Sequence, residues 1–370
     1  MAAMARTLAR RHEVTVLTSR AAGLAAEESD AGVRVIRVPV LFRRKLAVAN
    51  FPSMAAYLPM GFWRGLRLGR ERPFDIINTH FAVPTGPLGQ WLSRRLAVPN
   101  VLSVHGGDLY DPSKASSPHR HAFLRGAVAR LLRKADTVVA QSRDTARNVE
   151  RIYGVNRAVE LVPLGIDRPP QEIEAHRAEF SLPASAFVMV TAGRIVARKA
   201  STQLLETLKH LPQAWLVVIG DGPEAELVKR RAAELGVAER LRMLGYVSDE
   251  MKYRALRVSD VFVSTSQHEG FGLVFLEAMA YGLPVVCYNR GGQTDFLSTP
   301  GTGAVISLND IAAFNGAVRE LADSPARRAV IRAHNLALVE SYFIDRCAER
   351  YEQVFESALR ARGTTRAERH

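Results

Sequence analysis

The chain alternates short runs of β-branched and other apolar residues with longer segments in which apolar residues recur at helical spacing. In the first half the apolar runs are HEVTVLTS, VRVIRVPV, FDIINTHF, PNVLSVHG, ADTVVAQS and VELVPLGI. Helical spacing covers 85–96, 119–134 and 143–152. Short apolar runs separated by helices are typical of parallel sheets with helical crossover connections. The pattern therefore predicts an α/β domain.

The second half of the chain restarts the same pattern. Its apolar runs are FVMVTAG, AWLVVIG, LRMLGYV, VFVSTS, PVVCYN and GAVISL, and helical spacing covers 201–210, 224–235, 249–257, 273–282 and 309–322. Between the halves, VPLGIDRPPQ contains a glycine and paired prolines and predicts a linker. We therefore predict two Rossmann-like, doubly wound α/β domains, over 1–167 and 168–340, followed by an amphipathic segment over 341–370.

Length and composition support a two-domain globular protein. The chain has 370 residues, which is more than one hydrophobic core usually holds. No apolar run approaches the roughly 20 residues that a membrane-spanning helix needs. Arginines interrupt the N-terminal segment, so it does not resemble a secretory signal. The two cysteines, Cys287 and Cys347, form no metal-binding spacing and fit a reducing compartment, so we expect a cytoplasmic protein.

The positive charge is concentrated in the first half of the chain. The net charge is +13, and residues 1–167 carry 25 Lys and Arg against 13 Asp and Glu. Such a surface favours an anionic partner, and an anionic membrane surface is the partner we expect. An Arg-rich composition that simply coats the surface explains the charge equally well. Nucleic acid is not expected, because aromatic stacking residues do not interleave with the basic ones and no nucleic-acid motif appears.

Two glutamates flank a glycine-rich turn in HEGFGLVFLEAMA. Glu269 precedes Gly270 and Gly272, and Glu277 lies within the predicted helix that follows. Glycines let backbone N–H groups approach a ligand closely, and a helix N-terminus favours a phosphate. Carboxylates beside such a site accept hydrogen bonds from sugar hydroxyls. The alternative is a capping carboxylate followed by an exposed helical glutamate.

Two cations follow the first strand of the second domain, in VTAGRIVARKAS. A strand, a glycine turn and then Arg194 and Lys199 make an arrangement that suits a diphosphate. Arginine supplies a bidentate fork and lysine a point charge. The alternative is a solvated basic loop.

A histidine ends a strand of the first domain, in VLSVHGGDLYDP. His105 is followed by two glycines and Asp108, at a strand end where ligands of α/β sheets usually bind. We expect His105 to contact a reacting group. The alternative is a histidine that is hydrogen-bonded within its own loop.

These segments together resemble a known family. HEGFGLVFLEAMAYGLPVV resembles the E-x7-E signature of retaining glycosyltransferases of family 4, and GRIVARKA resembles their phosphate-binding segment. SVHGGDL, VPLGID, VIGDGPE and GYVSDEMKYRAL are similar to family segments in the same order. The resemblance covers nearly the whole chain. It implies a GT-B fold, in which two Rossmann-like domains face each other across a cleft and the segment 341–370 forms a helix that crosses back to the N-terminal domain.

The resemblance also implies a role for each candidate residue. The co-substrate would be a nucleotide-diphosphate sugar, with no other cofactor and no metal. Residues expected to bind this donor are Arg194 and Lys199 at the diphosphate, the backbone of Gly270, Phe271, Gly272 and Leu273 at the distal phosphate and sugar, Glu269 at the sugar hydroxyls, Glu277 at the ribose, and Gly245, Tyr246 and Val247 at the base. In the first domain, His105 would contact the transferring sugar, with Gly106 and Asp108 beside the sugar or acceptor.

The implied activity is transfer of a hexose, with retention, to a glycan or lipid-linked acceptor in polysaccharide biosynthesis at the inner face of the membrane. A nucleotide-sugar epimerase and a catalytically silent donor-binding protein are the alternatives. Two departures from the family pattern affect these expectations. The family's first strand and Gly-Gly acceptor loop do not precede HEVTVLTS, so we expect an incomplete N-terminal domain. GGQTDF also differs from the common GG-x-PE.

Overall fold

The computed structural model describes residues 1–40 and 51–367, which divide into two compact units. The first unit contains Met1–Gly165 and Ile344–His370, and the second contains Ile166–Phe343. Both units pair parallel strands with helices, and this confirms the predicted α/β class. Among the described residues, no helix combines the length and the apolar character needed to cross a bilayer.

The first unit holds two sheets. Strands β1, β2 and β3 form one sheet in the order β1-β3-β2, with β1 parallel and β2 antiparallel to β3, and β4 to β7 form a parallel sheet in chain order. The strands are β1 (Thr15–Ser19), β2 (Glu27–Asp30), β3 (Val33–Val38), β4 (Ile77–His80), β5 (Asn100–Val104), β6 (Thr137–Ala140) and β7 (Glu160–Leu161). The helices are α1 (Ala2–Leu8), α2 (Phe51–Glu71), α3 (Gly86–Leu96), α4 (Ala122–Lys134) and α5 (Arg143–Tyr153).

The sequence pattern misses α2 because this helix has an unusual composition. It contains Pro59 and three glycines, residues with low helix propensity. The glycines recur every fourth residue, and each lies against a leucine of α3. An added Cβ would lie 2.7 Å from Leu88 at Gly61, 2.6 Å from Leu92 at Gly65 and 2.7 Å from Leu96 at Gly69. The glycines therefore let α2 and α3 pack closely, in a register that is constant along both helices.

The last helix of the chain, α12 (Ile344–Ala367), belongs to the first unit. Its apolar face packs on one side of the parallel sheet, where Ala348 and Tyr351 share a buried cluster with Val101 and Val139 of the strands and Met4 of α1. Burial of this apolar face stabilises the helix and attaches it to the first unit, although its residues lie far along the chain from the rest of that unit.

The second unit has one parallel sheet in the order β10-β9-β8-β11-β12-β13. The strands are β8 (Phe187–Ala192), β9 (Ala214–Ile219), β10 (Leu241–Gly245), β11 (Val261–Ser264), β12 (Val285–Tyr288) and β13 (Gly303–Ile306). The helices are α6 (Gln203–His210), α7 (Ala225–Glu234), α8 (Asp249–Arg257), α9 (Leu273–Ala280), α10 (Ile311–Asp323) and α11 (Pro325–Val339). The sequence pattern predicts all but α11.

Local signals fix the ends of several helices in this unit. The side chains of Ser248, Asp310 and Ser324 accept hydrogen bonds from backbone N–H groups in the first turns of α8, α10 and α11. The chain winds from β8 outward to β10 and then returns to place β11 on the other side of β8. The order of strands therefore reverses between β8 and β11, and such a switch point is where open α/β sheets bind ligands.

Candidate active site

The loops that follow β8 and β11 meet at this switch point. The backbone N–H of Gln267 donates to the carbonyl of Arg198 at 2.8 Å. The buried hydroxyl of Thr265 donates to the carbonyls of Lys199 at 3.2 Å and Ala200 at 3.0 Å. These bonds hold the loop over 193–200 against the loop over 265–272. The side chains on the two loops are therefore fixed relative to each other.

An ion pair lies between the two loops. Glu269 is 6% exposed, and its carboxylate accepts a hydrogen bond from the Lys199 ammonium. The Arg198 guanidinium lies 3.6 Å from the other carboxylate oxygen and also donates to the His268 carbonyl. Burial raises the pKa of Glu269, but the neighbouring charges of Lys199 and Arg198 outweigh it, so the pKa lies below its usual value. Glu269 is therefore an ionised, buried carboxylate that is held by two cations.

A third loop fixes the backbone of Glu269. Its N–H donates to the Arg290 carbonyl at 3.0 Å, and its own carbonyl accepts from Gly292 at 2.9 Å. Gly291 has a φ of +117°, and a Cβ there would lie 1.9 Å from the Glu269 carbonyl oxygen. Only glycine fits so close to another backbone in this conformation. The loop after β12 thus fixes the backbone of the glutamate, while Lys199 and Arg198 hold its side chain.

Arg194 differs from the two cations that pair with Glu269. Its side chain is exposed, and within residues 1–40 and 51–367 it has no ion pair or hydrogen bond. Its loop nevertheless packs closely against the loop after β9. A Cβ added to Gly222 would lie 2.2 Å from the Ile195 carbonyl oxygen. The backbone N–H of Ile195 also donates to the Asp221 carbonyl at 3.0 Å. A fixed loop therefore presents a solvent-facing guanidinium.

The start of α9 completes this edge of the sheet. Gly272 has a φ of +90° and precedes the first helical residue, Leu273, which is exposed. The amides of a helix's first turn lack acceptors within the helix and attract anions. The Phe271 ring points inward, 5.2 Å from Phe296 and 6.4 Å from Tyr342 between ring centroids. Phe271 can therefore meet a ligand through its backbone, while its side chain anchors the turn.

Glu277 lies in the second turn of α9 and has a different environment. Its carboxylate accepts a hydrogen bond from the Lys252 ammonium at 2.9 Å, and the same ammonium lies 3.0 Å from Asp249. Burial raises the pKa of Glu277 above its usual value, although Lys252 acts in the opposite direction. Lys252 lies in no recognisable motif, and only its position beside Glu277 identifies it.

The segment Gly245–Val247 lies at the end of β10. The Gly245 carbonyl accepts from the Gly220 N–H at 2.8 Å, which ties the end of β10 to the end of β9. Tyr246 is 92% exposed, whereas Val247 is partly buried. The tyrosine side chain is thus free to meet a ligand or solvent.

His105 lies in the first unit, at the end of β5. Both oxygens of the buried Asp108 accept backbone N–H groups, from His105 at 2.8 Å and from Ala82 at 2.6 Å. Burial raises the pKa of Asp108 to about 6 against the lowering effect of those hydrogen bonds. Gly106 has a φ of +80°, which allows the turn between the two residues. The Asp108 carboxylate therefore fixes the His105 loop.

His105 forms a pair with a second histidine that the sequence analysis did not single out. His80 ends β4, and its Nδ1 lies 2.9 Å from the His105 Nε2. Burial lowers the pKa of His80 to about 3 and that of His105 to about 4. The parallel pairing of β4 with β5 places both strand ends together. The sequence signal for His80 is its position at the end of the apolar run FDIINTHF.

The predicted residues therefore fall into two groups. In the second unit, Lys199, Glu269 and the start of α9 share the switch point, with Arg194 on the same loop as Lys199. The histidine pair belongs to the first unit. Arg198, which sequence analysis passed over, stands beside Lys199 in the same basic motif. Across the described part of the chain, no group of three or more His, Cys, Asp or Glu side chains could hold a metal ion.

Both halves of the chain match models of glycosyltransferases. The model described as Glycosyltransferase Family 4 matches residues 1–168, and the model described as Glycosyl transferases group 1 matches residues 172–335. A relative from Mycolicibacterium smegmatis is 30% identical over 344 residues, which is 88% of this chain and 85% of the relative. It is named a GDP-mannose-dependent alpha-(1-6)-phosphatidylinositol monomannoside mannosyltransferase. A D-inositol 3-phosphate glycosyltransferase from Catenulispora acidiphila is 28% identical, covering 89% of this chain and 82% of its own.

Solved structures share the fold at lower identity. Sucrose-phosphate synthase from Thermosynechococcus elongatus superposes with a TM-score of 0.80 at 20% identity, covering 97% of this chain and 92% of the synthase. HepE from Anabaena, in complex with UDP and glucose, gives a TM-score of 0.76 at 18% identity, with 96% and 94% covered. The two-domain architecture is that of GT-B glycosyltransferases. Because a relative at 30% identity spans most of both chains and the family model matches the first half, this protein belongs to glycosyltransferase family 4.

Proposed function

We propose that this glycosyltransferase transfers a sugar, with retention of anomeric configuration, from a nucleotide-diphosphate sugar to a glycan or lipid-linked acceptor. The observation that carries the proposal is the switch point of the second unit. There, the buried Glu269 carboxylate pairs with Lys199, and the loop that carries Lys199 also carries the exposed Arg194. Fixed cations beside a helix N-terminus suit a diphosphate, and the carboxylate suits sugar hydroxyls.

The donor would lie along this edge of the sheet. Arg194 and Lys199 would hold the diphosphate, and the first-turn amides of α9 would bind its distal phosphate. The Gly245–Val247 segment would meet the base. Names of similar proteins support a nucleotide-sugar donor, since the Mycolicibacterium smegmatis relative is named for GDP-mannose and one HepE structure is a complex with UDP-glucose.

Glu277 would bind the ribose through the carboxylate oxygen that Lys252 does not occupy. Lys252 lies 2.9 Å from one Glu277 oxygen and also contacts Asp249, so its charge keeps the carboxylate oriented. A partly buried carboxylate with one oxygen committed to a lysine can accept a hydroxyl hydrogen bond with the other.

The chemistry follows from where charge develops. Cleavage of the sugar–phosphate bond places negative charge on the leaving diphosphate, which Arg194, Lys199 and the α9 amides would stabilise without a metal ion. The acceptor would attack from the face that the diphosphate leaves, and this gives retention. Glu269 would position the sugar. It is ionised and held by two cations, which does not suit a general acid.

The acceptor class is inferred from the relatives. Their names mention phosphatidylinositol monomannoside, D-inositol 3-phosphate and lipopolysaccharide core, which are lipid-linked or polyhydroxylated. His105 in the first unit would contact the transferring sugar.

An anionic membrane surface is the partner we propose for one face of the first unit, and it would place the protein at the inner membrane face. Three aromatic side chains of α2 and α3 adjoin there, with Phe62 centred 5.9 Å from Trp63 and 6.2 Å from Trp91. Trp63 is 69% exposed and Trp91 45%. We call this the tryptophan face, and it also contains the exposed side chains of Met60, Arg70, Arg94 and Arg95. Tryptophan with arginine is the composition that binds the headgroup region of anionic bilayers.

The proposed activity is tested by binding and turnover in the same protein. A thermal-shift screen over nucleotide sugars, including GDP-mannose and UDP-glucose, identifies a donor, because ligand binding raises the melting temperature. Release of nucleoside diphosphate is then measured with candidate acceptors. Lys199→Ala should reduce the thermal shift and lower the rate of release by roughly 10-fold or more. Lys229→Ala is the control, since Lys229 is an exposed lysine of α7 that pairs with Glu226 on the surface. Full activity in Lys199→Ala would refute the phosphate assignment.

The same measurements separate the two alternatives. An epimerase would convert the donor without an acceptor, and a silent protein would bind donor with no turnover. Acceptor-dependent release together with an unchanged donor in the absence of acceptor identifies a transferase.

A further inference from the structure

A line of hydrogen-bonded side chains runs along the α12 face of the parallel sheet in the first unit and ends at His105. The Tyr351 hydroxyl of α12 donates to Ser103 Oγ at 3.1 Å. Ser103 Oγ donates to Asn78 Oδ1 at 2.9 Å, and Asn78 Nδ2 lies 3.2 Å from His80 Nε2. His80 Nδ1 lies 2.9 Å from His105 Nε2. Four consecutive contacts therefore connect a helix on one side of the sheet to the candidate site.

The chemistry of each group decides which atom holds each proton. The Asn78 Nδ2 group can only donate, so His80 Nε2 must accept and the His80 proton lies on Nδ1. His80 Nδ1 then donates to His105 Nε2, which leaves the His105 proton on Nδ1. This order of donors and acceptors requires that each ring carries one proton. Burial keeps both imidazoles neutral, because it lowers the pKa of His80 to about 3 and that of His105 to about 4.

The tyrosine end of the line opposes the reverse direction, in which every donor and acceptor would exchange roles. At one end, Tyr351 is buried, and its hydroxyl proton has Ser103 Oγ as an acceptor. If Ser103 donated to Tyr351 instead, the buried phenol proton would lose that acceptor. Burial raises the pKa of Tyr351 above its usual value, so the hydroxyl keeps its proton.

At the other end stands Gln141. Its Nε2 donates to the His105 carbonyl at 2.5 Å, and because a carbonyl accepts only from the NH2 group, this bond fixes the orientation of the amide. Gln141 Oε1 is then a buried acceptor that has no hydrogen-bond partner among the described residues. Burial lowers the pKa of His105, and the Gln141 side chain acts in the opposite direction with a smaller effect.

We propose that Asn78 and His80 are positioning residues that hold His105 as a neutral imidazole with its proton on Nδ1 and its Nε2 lone pair occupied. His105 is then a hydrogen-bond donor and has no free nitrogen with which to accept a proton. What this donor contacts rests on the proposed function: it would bind an oxygen of the transferring sugar, and it would not act as the base that deprotonates the acceptor.

The protonated nitrogen can be read directly by NMR on the whole protein. Long-range proton–nitrogen spectra of 15N-histidine-labelled protein distinguish the two neutral tautomers, and a His105→Gln sample assigns the His105 signals among the ten histidines. We expect the Nδ1–H form in the wild type. His80→Phe removes the donor to Nε2 and should produce a mixture of tautomers, whereas His80→Gln keeps an amide donor and should restore the Nδ1–H form.

Two results would overturn the inference: an Nε2–H tautomer in the wild type, or an unchanged tautomer in His80→Phe. If His80→Phe does not fold, Asn78→Leu removes the donor to His80 and should also produce a mixture of His105 tautomers. An unchanged tautomer in that variant also counts against the proposal.

Kinetics separate this inference from the proposed function. For an identified donor, His80→Phe should lower kcat by roughly 10-fold to 100-fold, the usual effect of losing a group that orients an essential side chain, with little change in the donor KM. His80→Gln should recover most of the rate. If the wild type turns over no nucleotide sugar, the proposed function fails while the tautomer result stands. If turnover is normal and the tautomer is not the one stated, only this inference fails.

Discussion

Lys199 and Glu269 form an ion pair that joins the loop after β8 to the loop after β11. Glu269 is buried and Lys199 is partly buried, and Arg198 also approaches the same carboxylate. Removing one partner of a buried pair leaves an uncompensated charge, so both residues contribute to stability as well as to ligand binding. The proposed roles of the two residues nevertheless differ, and this difference can be measured.

The first prediction separates binding of the diphosphate from positioning of the sugar. Lys199→Ala should weaken binding of the nucleoside diphosphate by roughly 10-fold or more, because a charge-assisted contact is lost. Glu269→Gln keeps both cations, so it should leave that affinity within about threefold and lower kcat by roughly 100-fold. Calorimetry with the nucleoside diphosphate and initial rates provide the two numbers. Equal effects of both variants on diphosphate affinity would contradict the division of roles.

The second prediction concerns the backbone contact between Gly291 and Glu269. Gly291→Ala places a methyl group 1.9 Å from a carbonyl oxygen in a left-handed conformation, so it should lower the free energy of unfolding by about 2–3 kcal/mol and reduce activity. Gly316→Ala is the matched control. Gly316 lies exposed in α10 with open space around it, and alanine there should raise stability by about 0.5–1 kcal/mol. Denaturant unfolding of both variants gives the comparison.

A third prediction tests the contacts between the three glycines of α2 and the leucines of α3. Gly65→Ala directs a methyl group into Leu92 and should destabilise the protein by about 1–3 kcal/mol. Leu92→Ala also destabilises, because it leaves a cavity. In the double variant the two effects should offset each other, since the new methyl group enters the space that leucine vacates. A double-mutant cycle that shows simple additivity would mean that the helices do not meet at this register.

A fourth prediction follows from the histidine pair. The folded pKa values of His80 and His105 lie below the ordinary 6.5, so the unfolded chain binds protons that the folded chain does not. Stability is therefore highest above about pH 6.5 and falls as the pH drops toward 4. Asp108, with its pKa raised to about 6, acts in the opposite direction and offsets part of this loss below pH 6.

Thermal unfolding at pH 7.5 and pH 5.0 measures this effect. His80→Gln should show a smaller fall in melting temperature than the wild type, since one of the two protonating groups is gone. His210→Gln, at an exposed position of α6, should behave like the wild type. An equal fall in all three proteins would show that the pair does not govern the acid sensitivity.

The fifth prediction addresses the tryptophan face. Trp63→Ala together with Trp91→Ala should reduce cosedimentation with vesicles that contain anionic phospholipid by roughly 10-fold, because exposed aromatic area would no longer enter the headgroup region. Replacing Arg94 and Arg95 with glutamine should weaken binding and its dependence on salt. Phe123→Ala, an 85% exposed aromatic at the start of α4, is the control. Tight binding of the double tryptophan variant would exclude this face.

Sequence periodicity predicted most helices and strands and the α/β class of both units. It failed where local preference and tertiary packing disagree. α2 contains Pro59 and three glycines, and the helix is stable because those glycines permit close contact with leucines that lie about 27 positions later. β2 has the polar sequence EESD, and ion pairs of Glu27 and Glu28 with Arg34 and Arg37 of β3 support it. The leucines that pack on α2 lie outside a short window of sequence. The arginines that pair with β2 are only 7 and 9 residues away, but apolar alternation does not mark a strand as polar as β2.

The sequence by itself determined the family and the identity of the charged residues, because glycine turns, cations and carboxylates at strand ends have a recognisable spacing. Only the tertiary structure decided how those residues pair. It joined Glu269 to Lys199 and Arg198, gave Glu277 the neighbour Lys252, and set His80 beside His105. The physical reason is that a parallel sheet brings the ends of separate strands to one edge. Charge pairing and proton position depend on distances of a few ångströms across that edge, which spacing along the chain does not specify.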